Sequence, residues 1–72
     1  DDRHLRVATE RGAILVTRDK PFAGRISKQS DHAGLICWNG ALDNYGGLVR
    51  RLTEFAEAHT AEDVVGKVFW LK

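Results

Sequence analysis

Ala13-Ile14-Leu15-Val16-Thr17-Arg18-Asp19 passes from an unbroken apolar stretch into a charged pair, and this passage decides the fold. An apolar run of that length, bounded by Gly12 before it and by charge after it, suits a β-strand over residues 13–17 covered on both faces, as the strands of a parallel sheet are. Asp19 then lies just past the strand's C-terminal end, the edge at which open α/β sheets hold their ligands.

The residues upstream read as a helix over 2–11, closed by Gly12 as a left-handed C-terminal cap. Such a helix rises roughly 15 Å, and the strand that returns from it covers about 16 Å, so both ends arrive at one level. Asp1, Leu5 and Ala8 follow the i, i+4, i+7 spacing of a single helix face. Asp1 and Asp19 are therefore expected at the same mouth, and two carboxylates there point to a divalent metal. Each acid has a second reading: Asp1 as a capping or dipole-favoured residue at a helix start, Asp19 as the turn aspartate of Arg18-Asp19-Lys20-Pro21. Asp2 is rotated off the face and suits an N-cap.

Downstream, Pro21 opposes helix at Lys20, and residues 22–28 form a short helix or stay irregular. A polar loop over 29–33 leads to a second buried strand over 34–38, which leaves through the turn dipeptide Asn39-Gly40. Tyr45, Leu48, Val49, Leu52, Phe55 and Ala56 make the clearest helical stripe in the chain, capped by Asp43 or Asn44. Thr60-Ala61-Glu62-Asp63 has the form of a capping box opening a one-turn helix that Gly66 ends, and residues 68–71 are the last strand. Trp38 and Trp70 both read as core, and Phe22 as a core anchor. Helices between apolar strands predict a parallel α/β sheet with helices on both faces.

Hydrophobic residues at 43% and charged residues at 29% exclude a disordered chain, and no apolar run approaches the roughly 18 residues of a membrane span. The single cysteine, Cys37, sits in an apolar strand with no base at a telling spacing, so it reads as a buried reduced thiol and not as a nucleophile. A reducing compartment and a soluble cytoplasmic protein without membrane contact are expected. The net charge of +1 is uninformative, but Arg18, Lys20, Arg25 and Lys28 cluster around Asp19. They are candidate nucleic-acid contacts, or else a solvated loop. His32 is a candidate accessory contact to substrate or metal, or else a histidine bonded to backbone.

Asp1, Ala8, Gly12, Leu15, Thr17, Asp19 and Phe22, followed by His32-Ala33-Gly34-Leu35-Ile36, together resemble the PIN-like nucleases, in particular a small bacterial branch related to the toxin ribonucleases of toxin-antitoxin pairs. The match covers about the first half of the chain by motif and the remainder by element order. The resemblance implies a PIN-like α/β fold and a Mg²⁺ or Mn²⁺ dependent endoribonuclease. Asp1 and Asp19 would be its catalytic, metal-holding acids, RNA its substrate and an antitoxin protein its partner. Two departures stand against it. The family's first acid lies on an N-terminal strand without counterpart here, and the branch's usual Asp before Phe is Pro21. Residues 1–72 are thus expected to be a single domain, the C-terminal portion of a PIN-like domain lacking its N-terminal strand or strands. The alternative is a catalytically deficient PIN-like module that acts as an interaction protein, binding an antitoxin-like partner or forming a homodimer. A receiver-like or other doubly wound domain is a third reading, since fold does not fix function.

Overall fold

The structure is a computed structural model that describes residues 2–41 and 43–72. Its elements follow the order α1 (Asp2–Glu10), β1 (Leu15–Thr17), α2 (Lys20–Ile26), β2 (Leu35–Trp38), α3 (Tyr45–Ala58), α4 (Ala61–Val64) and β3 (Val68–Leu71). The strands form one parallel sheet in the order β1-β2-β3, with Leu15 level with Leu35 and Leu35 level with Val68. A small α/β fold is therefore present, as the alternation of helices and apolar strands predicts.

Successive strand residues face opposite sides, and the core divides accordingly. On one side Leu5 of α1 and Phe22, Ala23 and Ile26 of α2 pack with Leu35 and Cys37, joined by Leu15 and Val68. On the other, Phe55 of α3 and Val64 of α4 pack with Ile36, joined by Ile14, Leu52, Phe69 and Leu71. Helices thus cover both faces. All residues of β2 are buried because it alone among the described strands has a neighbour on each edge.

The outer strands are less well covered than their apolar sequences imply. Val16 on β1 is 41% exposed and Trp70 on β3 is 48% exposed, because each lies on an edge strand beyond the reach of the helices. Trp38 is core as expected, whereas Trp70 is not. The stripe on α3 is likewise only partly used: Leu52 and Phe55 reach the core, while Tyr45 and Val49 are exposed. The C-terminal end of α3 is held by rings, with Phe55 4.3 Å from His59 and 4.8 Å edge-on from Phe69.

The element boundaries differ slightly from the expected ones, for local reasons. Helix α1 stops at Glu10, and Gly12 at φ 66° lets the chain reverse so that Ala13 N–H donates to the Ala8 carbonyl at 2.8 Å. Helix α2 begins at Lys20, ahead of the proline. Pro21 falls in the first turn, where a backbone N–H has no intrahelical partner to lose. Asn44, and not Asp43, caps α3, its side chain accepting from Gly47 N–H at 3.0 Å. The capping box at Thr60 and Asp63 forms in both directions, at 3.1 and 3.2 Å.

Candidate active site at the strand mouth

The C-terminal ends of β1 and β2 meet where Thr17-Arg18-Asp19-Lys20 faces Cys37-Trp38-Asn39-Gly40. Asp19 leaves β1 with extended backbone, and its own N–H donates to Thr17 Oγ1 at 3.1 Å. Its Oδ1 accepts from Phe22 N–H at 3.0 Å, which makes Asp19 the N-cap of α2. Burial of Phe22 fixes that first turn from below. One carboxylate oxygen is thereby committed to the helix, while Oδ2 stays at an exposed surface. The turn-aspartate reading accounts for what is observed, and a ligand role is compatible with it through Oδ2.

Arg18 spans the mouth, its guanidinium donating to the Gly40 carbonyl at 3.2 Å. Lys20 opens α2 beside it, fully outside the core. These two cations therefore flank Asp19. Arg25 does not: it faces Asp2, with guanidinium–carboxylate distances of 3.2 and 3.4 Å, and lies over the Phe22 ring at 5.4 Å. An exposed pair of this kind contributes about 0–1 kcal/mol, but it holds Arg25 away from the mouth. Lys28 follows the far end of α2, roughly 12 Å down the helix axis from Lys20 at 1.5 Å per residue.

His32 occupies the other end of the sheet, because it precedes β2 whereas Asp19 follows β1 and the two strands are parallel. Its carbonyl accepts from Gly66 N–H at 2.8 Å. The side chain is 3% exposed, and neither ring nitrogen has a hydrogen-bond partner among the described residues. His32 is therefore not the backbone-bonded histidine of one sequence reading, and it is not at the mouth either.

Sequence patterning reads Asn39 only as part of a turn and misses its place at the mouth, whereas Cys37 beneath it is the buried free thiol expected. Asn39 is anchored by its N–H to the Leu71 carbonyl at 2.6 Å, and Cys37 Sγ lies 3.9 Å from Asn39 Oδ1. Burial pushes the Cys37 thiol up, against the opposing pull of Lys20 and Arg18 and with a smaller push from Asp19. The thiol is thus protonated at neutral pH and unsuited to nucleophilic attack. The Asn-Gly dipeptide after an apolar strand was the available signal, and it points to a turn more readily than to a site.

Asp1, the other expected metal acid, lies outside the described residues. Among those described, no three His, Cys, Asp or Glu side chains come together closely enough to hold a metal ion. Asp19 offers a single carboxylate, and a hard cation such as Mg²⁺ takes an octahedral set of oxygens, so the described residues do not make up its cage. What they do form is a shallow, cation-flanked carboxylate at the carboxyl edge of a parallel sheet. No helix among them is long and apolar enough to cross a membrane. Compared with protein-family profiles, curated proteins and solved structures, the chain matches none of them.

Proposed function

We propose that this mouth is the remnant or the larger part of a PIN-like nuclease site, and that the protein acts on RNA as a Mg²⁺ or Mn²⁺ dependent endoribonuclease of the toxin class. The observation that supports it most is the placement of Asp19 at the C-terminal end of β1 with Arg18 and Lys20 on either side. In this reading Asp19 and Asp1 are the protein's metal ligands. The ion, when bound, would supply a Lewis acid for the phosphoryl oxygen and an activated water. The chain's own contribution is to bind and orient. Lys20 offers a mobile ammonium to phosphate, and Arg18, fixed across the mouth by Gly40, presents its remaining N–H donors in a constant direction. Arg25 and Lys28, set away from the mouth, would extend the contact along a longer strand of RNA.

A second reading is favoured by the competing uses of the same groups. Asp19 Oδ1 caps a helix, Arg25 is paired with Asp2, and Pro21 stands where the resembling branch has Asp. In that reading the chain is a catalytically deficient PIN-like module that binds an antitoxin-like protein or another copy of itself.

Titration with Mn²⁺ separates the two. The first reading expects paramagnetic broadening of the amide signals of residues 17–20 and 39–40, a rise in Tm through binding to the folded state, and Mn²⁺-dependent cleavage of single-stranded RNA. Asp19→Asn should remove all three while leaving the helix cap intact, because asparagine caps as well as aspartate. Metal broadening that is absent, or identical in parent and variant, removes Asp19 from a metal site and leaves the second reading.

A further inference from the structure

His32 is the polar side chain that the strand mouth leaves unused. It is 3% exposed, and neither ring nitrogen has a hydrogen-bond partner among the described residues. It lines a groove of about 480 Å³ between α1 and α2 and, with Thr9 and Asp31, a second cavity of about 350 Å³. Helix α1 presents one face to the groove, since Asp2, Leu5, Arg6, Thr9 and Glu10 follow helical spacing. Buried Leu5 and Ile26 give it apolar walls. Helix α2 runs from its Asp19 cap at the mouth toward the loop that carries His32, so mouth and groove lie along one helix.

The charges of the lining narrow the choice of ligand. Asp2, Glu10 and Asp31 outnumber Arg6 and Arg25, and such a surface disfavours a phosphate. Arg25 and Asp2 already satisfy each other, which leaves Arg6, Glu10 and Asp31 with no hydrogen bond or ion pair among the described residues. An ammonium ligand would answer the carboxylates and leave Arg6 unmatched. No three His, Cys, Asp or Glu side chains among the described residues converge on a metal position. The fitting ligand is an uncharged one that carries a donor pair for a carboxylate and an acceptor pair for a guanidinium.

We propose that this groove binds a guanine base, supplied in the nuclease reading by an unpaired nucleotide of the RNA. Guanine joins both patterns on one ring system. Its N1–H and 2-amino group form the donor pair for the Asp31 carboxylate, and its O6 and N7 form the acceptor pair for the Arg6 guanidinium. An uncharged imidazole adds one donor and one acceptor, which His32 contributes at the loop end of the groove. Uracil and cytosine lack the adjacent acceptor pair, and adenine lacks the adjacent donor pair. Single-stranded RNA presents base edges in the way this contact requires. A strand whose phosphate meets Arg18 and Lys20 at the mouth would thus place a neighbouring base in the groove along α2.

This inference deepens the nuclease reading by naming a base preference, and the full chain tests it without metal. NMR titration with 5′-GMP is expected to shift the amides of residues 5–10 and 26–33 and the ring nitrogens of His32. The corresponding adenine, cytosine and uracil nucleotides should bind at least roughly tenfold more weakly, and so should 5′-IMP, which lacks only the 2-amino group. Asp31→Asn and Arg6→Gln, both exposed changes, should each weaken 5′-GMP roughly tenfold with unchanged circular dichroism. Equal binding of all five nucleotides, shifts confined to the mouth, or full affinity in both variants overturns the proposal. An oligouridine with a single guanine separates RNA from free nucleotide as the source: Mn²⁺-dependent cuts at a fixed distance from the guanine support the site. Cuts without regard to the guanine, with no 5′-GMP shifts in the groove, overturn it and leave the nuclease reading. Groove shifts by 5′-GMP with no cleavage of any RNA support the base site and remove the nuclease reading instead.

Discussion

Asp19 serves two demands with one side chain, and substitutions separate them. Removing the carboxylate as Asp19→Ala takes away the acceptor for Phe22 N–H and should cost about 1 kcal/mol of stability, whereas Asp19→Asn should be close to neutral in urea unfolding. Loss of stability in both variants alike would mean that the charge, and not the cap, is what matters there. Asp63 gives a second test at this scale. Hydrogen bonds from the Thr60 backbone N–H and, secondarily, its side-chain hydroxyl hold the Asp63 carboxyl below its ordinary value of 3.8. A folded pKa lowered in this way contributes stability that is complete above the unfolded value and disappears as pH falls below 3.8 through the folded one. Titration of the Asp63 carboxyl carbon by NMR should show the lowered midpoint, and Thr60→Val, which keeps the backbone donor and removes the hydroxyl, should move it back up only part of the way. The sequence carried both features, one as Asp just past an apolar strand and the other as a capping-box spacing. It did not carry the Arg25–Asp2 pair, which joins residues far apart in the chain, nor the burial of His32, which depends on the packing of α1, α2 and the loop before β2.

Elements were legible where a local rule acts alone and less so where tertiary coverage decides. The apolar runs gave the strands and the glycines gave the ends. Pro21 misled, because its effect depends on position: it breaks a helix interior but suits the first turn, and only the Asp19 cap shows which applies. The stripe on α3 overstated burial, since periodicity gives a face but not the extent of the sheet beneath it. Glycine substitutions separate backbone need from mere tolerance. Gly66 has φ 72°, and a Cβ there would lie 2.9 Å from the Ser30 carbonyl oxygen, so Gly66→Ala should cost about 1–2 kcal/mol or more. Gly24 lies within α2 with open space around it and ordinary helical backbone, so Gly24→Ala should stabilise by about 0.5–1 kcal/mol. Thermal unfolding of the two variants should therefore move Tm in opposite directions, and a shift of the same sign in both would discredit the assigned backbone roles.

In the whole molecule stability is concentrated at the centre. The parallel arrangement followed from helices placed between strands, but the order β1-β2-β3 did not, because nothing local in the sequence states which strand lies between the others. That order makes β2 the only described strand buried along its length, with Leu35 fully enclosed between residues of α1, α2 and both neighbouring strands. A chain of 72 residues has little stability in reserve, typically no more than about 3–5 kcal/mol from a single core of this size. Leu35→Ala should cost about 2–5 kcal/mol and so consume most or all of it. Val16→Ala, on the exposed edge, should cost under about 1 kcal/mol in the monomer. Urea unfolding at low protein concentration, followed by the fluorescence of buried Trp38, should show a cooperative transition near the parent midpoint for Val16→Ala and none for Leu35→Ala. Equal losses from the two substitutions would place as much stability on the β1 edge as in the central strand, which the burial of these residues does not allow.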